Sequence, residues 1–140
     1  MSDKVFLDTN ILVYAIESAG PEPTKATTAL SLARQPAVRI STQVLGEFYR
    51  AVTSSRRQSP LTHDEATAWI QLWKRFHVDS ITVQHVDLAL EIVGRFQIGY
   101  YDALILAAAR LSGCARLYSE DLQHGQDFEG ITVINPFSPS

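Results

Sequence analysis

Residues 103–109 read Ala-Leu-Ile-Leu-Ala-Ala-Ala, and no position among them is polar. A helix built from this run is apolar on every side, has no face to give to water, and must be buried all round. The rest of the chain has to cover it. Short strand-like runs at 5–8, 38–40, 81–83, 116–118 and 132–134 alternate with longer segments of helical period. That alternation predicts an α/β fold, a central parallel sheet of about five short strands covered by helices on both faces. The chain has 140 residues, 46% of them hydrophobic, which is enough to bury one real core. No repeat or linker divides it, so a single domain is expected over residues 1–136, with a loose tail at 137–140.

Local signals place the helices. Ser41 and Thr42 are capping residues ahead of a helix reaching about Ser54. Thr62 and Glu65 have the spacing of a capping box, and Trp69, Trp73 and Phe76 follow at helical spacing, which favours packing over base stacking. Helices are also expected at 11–16, 22–34, 86–96 and 100–111, the last ended by Gly113.

The formal net charge is −3, which excludes a general basic coat for nucleic acid, so any such contact must be local. A lone cysteine, Cys114, rules out an intrachain disulfide and a cysteine metal cluster, and reads as packing. No apolar run approaches the roughly 20 residues a bilayer span needs, and no leader pattern precedes Asp8, so no membrane role and a cytoplasmic location are expected.

The chemistry is carried by acids. Asp8 separates the apolar runs Val5-Phe6-Leu7 and Ile11-Leu12-Val13. A carboxylate there is costly if buried alone, and calls for a helix cap, a cation or a partner chain. It also ends a strand, where α/β sheets gather ligands. Glu47 lies at the border of the stripe formed by Val44, Leu45, Phe48, Ala51 and Val52, not opposite it. Asp102 opens the buried helix behind Gly99-Tyr100-Tyr101, which holds no strong capping residue. Asp121 follows the strand ending at Tyr118, beside Ser119 and Glu120. Singly, each has a plain structural explanation: a cap, a wet core edge, a first-turn dipole partner, a polar turn. Jointly they would put four carboxylates into one cleft. Like charges that close repel and raise one another's pKa. Hard cations such as Mg²⁺ or Mn²⁺, which prefer oxygen ligands, relieve this and suit phosphodiester hydrolysis.

The ordered set of LDTN at 7–10, Glu47 within VLGEFYRA, YYDALILAAA from Tyr100 and LYSEDLQHG from Leu117 resembles the PIN domain. More narrowly it resembles the VapC-type toxins of bacterial and archaeal toxin–antitoxin pairs. The resemblance runs from Val5 to Pro136. It implies a three-layer α/β PIN fold and a Mg²⁺- or Mn²⁺-dependent endoribonuclease. The family's acidic quartet falls on Asp8, Glu47, Asp102 and Asp121, as metal ligands and catalytic groups. Its supporting hydroxyl and amide fall on Thr9 and Asn10, and the hydroxyl before the fourth acid on Ser119. Glu120 could face the metal in place of its neighbour Asp121. The resemblance further implies in-line water attack on phosphorus, leaving a 5′-phosphate and a 3′-hydroxyl, with Glu47 helping to orient the water. The implied partners are RNA, a second copy in a homodimer, and a cognate antitoxin whose tail covers the acidic cleft.

An RNA phosphate backbone needs cations near that cleft, and Arg50, Arg56 and Arg57 are the candidates for an RNA-binding rim. His63, His77, His85 and His124 share no metal-ligand spacing; His124 is nearest the acids in sequence. One alternative is a PIN nuclease of RNA processing outside toxin–antitoxin systems. Another is a Mg²⁺ phosphatase, although Asp8-Thr9-Asn10 lacks the paired aspartates of an aspartyl-phosphate enzyme. A non-catalytic module is a third, and it has no use for mutually repelling acids.

Overall fold

β1 (Val5–Leu7) is fully buried, as its unbroken apolar run requires. It leads into α1 (Thr9–Ala15) and α2 (Pro23–Ala33), then β2 (Val38–Ser41). α3 (Thr42–Thr53) and α4 (His63–Trp73) precede β3 (His77–Asp79). α5 (Val83–Phe96) and α6 (Tyr100–Leu111) lead to β4 (Arg116–Tyr118) and β5 (Thr132–Ile134). The computed structural model describes residues 3–138, and these five strands and six helices are those of the described residues.

The strands form one sheet in the order β3-β2-β1-β4-β5, and every neighbouring pair is parallel. Val5 pairs with Val38 on one side and with Arg116 on the other. The chain winds outward from β1 to β3, and then α5 and α6 carry it across to β4 on the far side of β1. The winding direction therefore reverses between β1 and β4. In an open α/β sheet a crevice forms at that point, beyond the carboxyl ends of the strands. Asp8 follows β1 directly, and Ser119 to Asp121 follow β4.

α6 is the helix that had to be buried: none of residues 103–109 is more than 6% exposed. It lies against β2 and β4 and is covered by α5, while α1 packs on α2 and α3. Gly113, at φ +80°, takes the left-handed position that ends α6, where a Cβ is disfavoured. Cys114 is buried beside Ser112. Phe48 and Val52 turn α3 inward, and Trp73 closes the far end of that core, stacked between Trp69 at 5.4 Å and Phe76 at 5.7 Å. The tryptophans belong to packing.

The capping box of α4 is present: Glu65 N–H donates to Thr62 Oγ1 at 3.2 Å, and Thr62 N–H donates to Glu65 Oε1 at 2.9 Å. Thr62→Ala removes the hydroxyl acceptor, and is expected to cost about 1 kcal/mol in denaturant melts. A change below about 0.3 kcal/mol would show that the box is ornamental.

The expected strand at 81–83 is not there. Thr82 instead caps α5, with its N–H donating to His85 Nδ1 at 3.1 Å, so α5 starts at Val83 rather than 86. The third strand forms upstream at His77–Asp79, on the sheet's edge, where a polar His77–Asp79 pair at 2.8 Å masks the strand pattern. α4 likewise stops at Trp73, and Phe76 packs from beyond the helix. Within the segment expected to be loose, Phe137 packs edge-on against Tyr14 at 5.0 Å; positions 139–140 lie outside the described residues.

Candidate active site

Asp8 is the N-cap of α1 and only 4% exposed. Both of its oxygens are engaged. Thr9 N–H donates to Oδ1 at 2.7 Å, and the buried Ser119 hydroxyl donates to Oδ2 at 2.6 Å. The cap and site explanations of Asp8 are thus compatible: one oxygen faces the helix start, the other the β4 loop. The backbone completes the join, as Asp8 N–H donates to Tyr118 O at 3.0 Å. Asp121 N–H donates to Ser119 Oγ at 3.1 Å, so one hydroxyl links two acids.

Glu47 projects from α3 toward the same crevice. Thr9 Oγ1 donates to Glu47 Oε1 at 2.7 Å, and Gln43 Nε2, one turn earlier, donates to Oε2 at 3.1 Å. Asn10 Nδ2 donates to Asp121 Oδ2 at 3.1 Å, while Glu120 N–H donates to Asn10 Oδ1 at 3.2 Å. Thr9 and Asn10, adjacent on the first turn of α1, therefore hold acids that lie 38 and 111 residues further on. Asp102, in the first turn of α6, is half-buried.

Electrostatics tie the acids into one unit. Burial pushes the Asp8 carboxyl up from 3.8 to about 7 against the pull of the Ser119 and Thr9 bonds, and the charges of Asp121 and Glu47 push the same way. Asp102 is also held above the ordinary carboxylate range, first by burial and then by Asp121 and Glu47. Among the described residues, no basic side chain offsets the charge of either. The donor set is all oxygen, anionic and short of positive charge, which fits a hard divalent cation. The side chains are not drawn into a ready-made cage: among the described residues no group of three or more acids, histidines or cysteines is arranged to hold an ion. The carboxylate oxygens instead bind hydroxyl and amide donors.

A cleft of about 580 Å³ opens over this unit, lined by Thr9, Asn10, Glu47 and Asp121 together with Tyr14, Glu17, Glu22 and Glu120. Asp8 lies beneath it, and Asp102 and both Tyr100 and Tyr101 stand outside its lining. Arg50 and Arg56 are exposed and do not line the cleft. Arg57 is turned inward, its Nη2 3.0 Å from Glu17 Oε1, in an adjoining hollow that shares Glu17 with the cleft. His124 accepts from Asn135 N–H at 2.9 Å and ties two loops together. His85 is buried in the cap of α5. Sequence reasoning missed Gln43, Lys25 and Tyr14. Gln43 was findable, being one helical turn before Glu47; Lys25 and Tyr14 meet Glu120 across 95 and 106 residues, with no local signature.

Comparison with known proteins agrees with this architecture. A toxin–antitoxin complex from Klebsiella pneumoniae is similar over 96% of this chain and 98% of its own, at 23% identity and a TM-score of 0.68. A sarcin–ricin loop cleaving VapC toxin of Mycobacterium tuberculosis is similar over 84% of this chain and 90% of its own, at 24% identity and a TM-score of 0.66. The VapBC complex of Rickettsia felis bound to a promoter DNA fragment covers 92% and 96%, at 19% identity and a TM-score of 0.65. A search of curated protein sequences finds no match. At these identities the likeness is one of fold. The description of the matching sequence family is "PIN domain", and its match extends over residues 5–126, taking in β1, the sheet's switch point and all four acids. The chain belongs to the PIN domain family.

Proposed function

We propose that the protein is a metal-dependent endoribonuclease, the toxin of a toxin–antitoxin pair, hydrolysing RNA phosphodiester bonds by water attack. The observation that carries this is the buried Asp8 carboxylate, joined through Thr9 to Glu47 and through Ser119 to Asp121 at the sheet's switch point. A fold that invests in four coupled acids at its switch point needs positive charge there, and a divalent ion with a phosphodiester supplies a use for it. The similar structures support the biological setting, being toxin–antitoxin complexes and an RNA-loop-cleaving toxin.

Asp8, Glu47, Asp102 and Asp121 would hold Mg²⁺ or Mn²⁺. When bound, such an ion polarises a phosphate oxygen and acidifies water. The chain's own residues do the rest. Ser119 and Thr9 fix the Asp8 carboxylate, and Thr9 and Gln43 aim Glu47 into the cleft, where it can orient water and accept its proton. Attack of water forms a P–O bond and breaks the P–O3′ bond; O3′ leaves with the bonding electrons and takes a proton from solvent, leaving 5′-phosphate and 3′-hydroxyl ends. Arg50 and Arg56 would meet RNA phosphates beyond the rim, with Arg57 at the end near Glu17. The cleft presents Glu17, Glu22, Glu47, Glu120 and Asp121, a surface suited to a basic antitoxin segment. Exposed Val83 and Leu90, one face of α5, offer apolar area for a homodimer contact. No helix among the described residues is long and apolar enough to cross a membrane.

The test is incubation of the purified protein with structured RNAs, with Mn²⁺ or with EDTA. Cleavage is expected with Mn²⁺, none with EDTA, and a loss of about 100-fold or more in Asp102→Asn. Release of phosphate from small esters with no RNA cleavage would replace the nuclease with a phosphatase.

A further inference from the structure

We infer that Lys25, acting with Tyr14, is a positioning residue that holds Glu120 away from the acidic quartet, so that the loop after β4 presents Asp121 alone. The inference rests on the metal-dependent reading above and specifies how its ligand set is chosen.

Glu120 and Asp121 are adjacent carboxylates on one loop, and both line the cleft. Their side chains are bound to different partners. Asp121 accepts from Asn10 Nδ2, within the quartet. Glu120 is gripped from the other side: Lys25 Nζ reaches Oε2 at 2.6 Å, and Tyr14 O–H donates to Oε1 at 2.8 Å. Asn10 separates the two, accepting the backbone N–H of Glu120 while donating to the carboxylate of Asp121.

Lys25 is itself well held. Its ammonium donates to Tyr14 Oη at 3.3 Å, lies 3.5 Å from Glu22, and sits 4.9 Å from the Tyr14 ring centroid and 5.3 Å from that of Phe137. A cation over two aromatic faces is confined more than one on a free stem. At 27% side-chain exposure an ion pair of this kind adds little to global stability. What it changes is local charge. With Lys25 in place, Glu120 is paired with a cation; without it, that carboxylate loses its counter-charge in a cleft that also presents Glu47 and Asp121.

Affinity for a hard cation rises with the number of anionic ligands offered. Lys25→Met is therefore expected to tighten Mn²⁺ binding by about fivefold or more, measured by calorimetry on the full chain without RNA. The double variant Lys25→Met with Glu120→Gln is expected to return to the wild-type value. Lys25→Arg, which keeps the grip, is expected to change nothing beyond about twofold. Tyr14→Phe removes the second grip while leaving the charge pair, and gives a smaller tightening of the same sign; it carries the test if Lys25→Met does not fold. A merely structural Lys25 would weaken Mn²⁺ binding, and would not be rescued by a second substitution at Glu120. No gain in Mn²⁺ binding in either single variant, including no binding by any of the proteins, overturns the inference. The two readings fail separately: tighter Mn²⁺ binding by a wild-type-inactive protein leaves the Lys25 role standing and removes the nuclease, and RNA cleavage with unchanged Mn²⁺ affinity does the reverse.

Discussion

Asp8→Asn is expected to abolish Mn²⁺-dependent RNA cleavage, by about 100-fold or more, while making the metal-free protein more stable at pH 8. The second half follows from linkage. Burial leaves the folded Asp8 carboxyl titrating at about 7, whereas its ordinary value is 3.8. Between those values the native state holds a proton that the unfolded chain has already released. Stability therefore falls as pH rises from about 4 to about 7, and above 7 the full penalty for a buried charge persists. The raised pKa of Asp102 acts in the same direction. For Asp8 the upper bound is on the order of 4 kcal/mol, and relaxation of the site reduces it. Asn removes the charge and keeps an oxygen for Thr9 N–H, while the Ser119 hydroxyl can turn to accept from the new amide. A gain of about 1–3 kcal/mol at pH 8 is expected, about 3–12 °C in melting temperature for a domain of this size. The gain should shrink toward pH 4, where wild-type Asp8 keeps its proton in the folded state and the unfolded chain is only partly ionised. Melts in EDTA across pH 4–8 measure it directly, and an Asp8→Asn protein less stable than wild type at pH 8 would mean that the carboxylate is a structural asset rather than a charge awaiting a cation.

The same conflict explains what could be read from the chain alone. The buried helix was legible because seven consecutive apolar residues leave no alternative, and α6 is indeed enclosed from 103 to 109. The acids were legible only as a set: Asp8, Glu47 and Asp102 interrupt or border apolar patterns and Asp121 follows a strand, and each alone has a plain structural explanation. Asp8 shares Thr9 with Glu47 and Ser119 with Asp121 as hydrogen-bond partners, and Asp102 joins them through charge. Features decided by tertiary contact were not legible. The strand at His77–Asp79 lies on the sheet's edge, with no apolar alternation to announce it, whereas Ile81-Thr82-Val83 carries the β-branched residues of a strand and serves as a helix cap. Arg57 reads in sequence as one of three rim cations, and nothing local announces its pairing with Glu17, a residue 40 positions earlier. Lys25 gave no signal at all, because its meaning depends on Glu120, 95 residues away.

Phe48→Ala is the substitution expected to damage the fold most. Phe48 is fully buried on α3, next to Glu47, and its ring meets Trp73 edge-to-face at 5.8 Å. Removing the ring leaves a cavity between the sheet and the Trp69–Trp73–Phe76 stack, and the cost is about 3–5 kcal/mol from lost transfer and packing. Single domains have only about 5–15 kcal/mol in total, so the variant would lie near the limit of folding at 37 °C. Phe48→Leu keeps most of the volume and is expected to cost less, about 1–2 kcal/mol, which separates the cavity from the loss of the aromatic pair. Urea melts followed by tryptophan fluorescence report both quantities, since Trp73 is the ring's direct neighbour. The effect should extend to the site, because the buried face of α3 is what points Glu47 at Thr9. In the folded fraction of Phe48→Ala, cleavage should fall by more than in Phe48→Leu. A loss of less than about 1 kcal/mol in Phe48→Ala would mean that the aromatic cluster closes over the gap, and that α3 is held in register by the sheet without it.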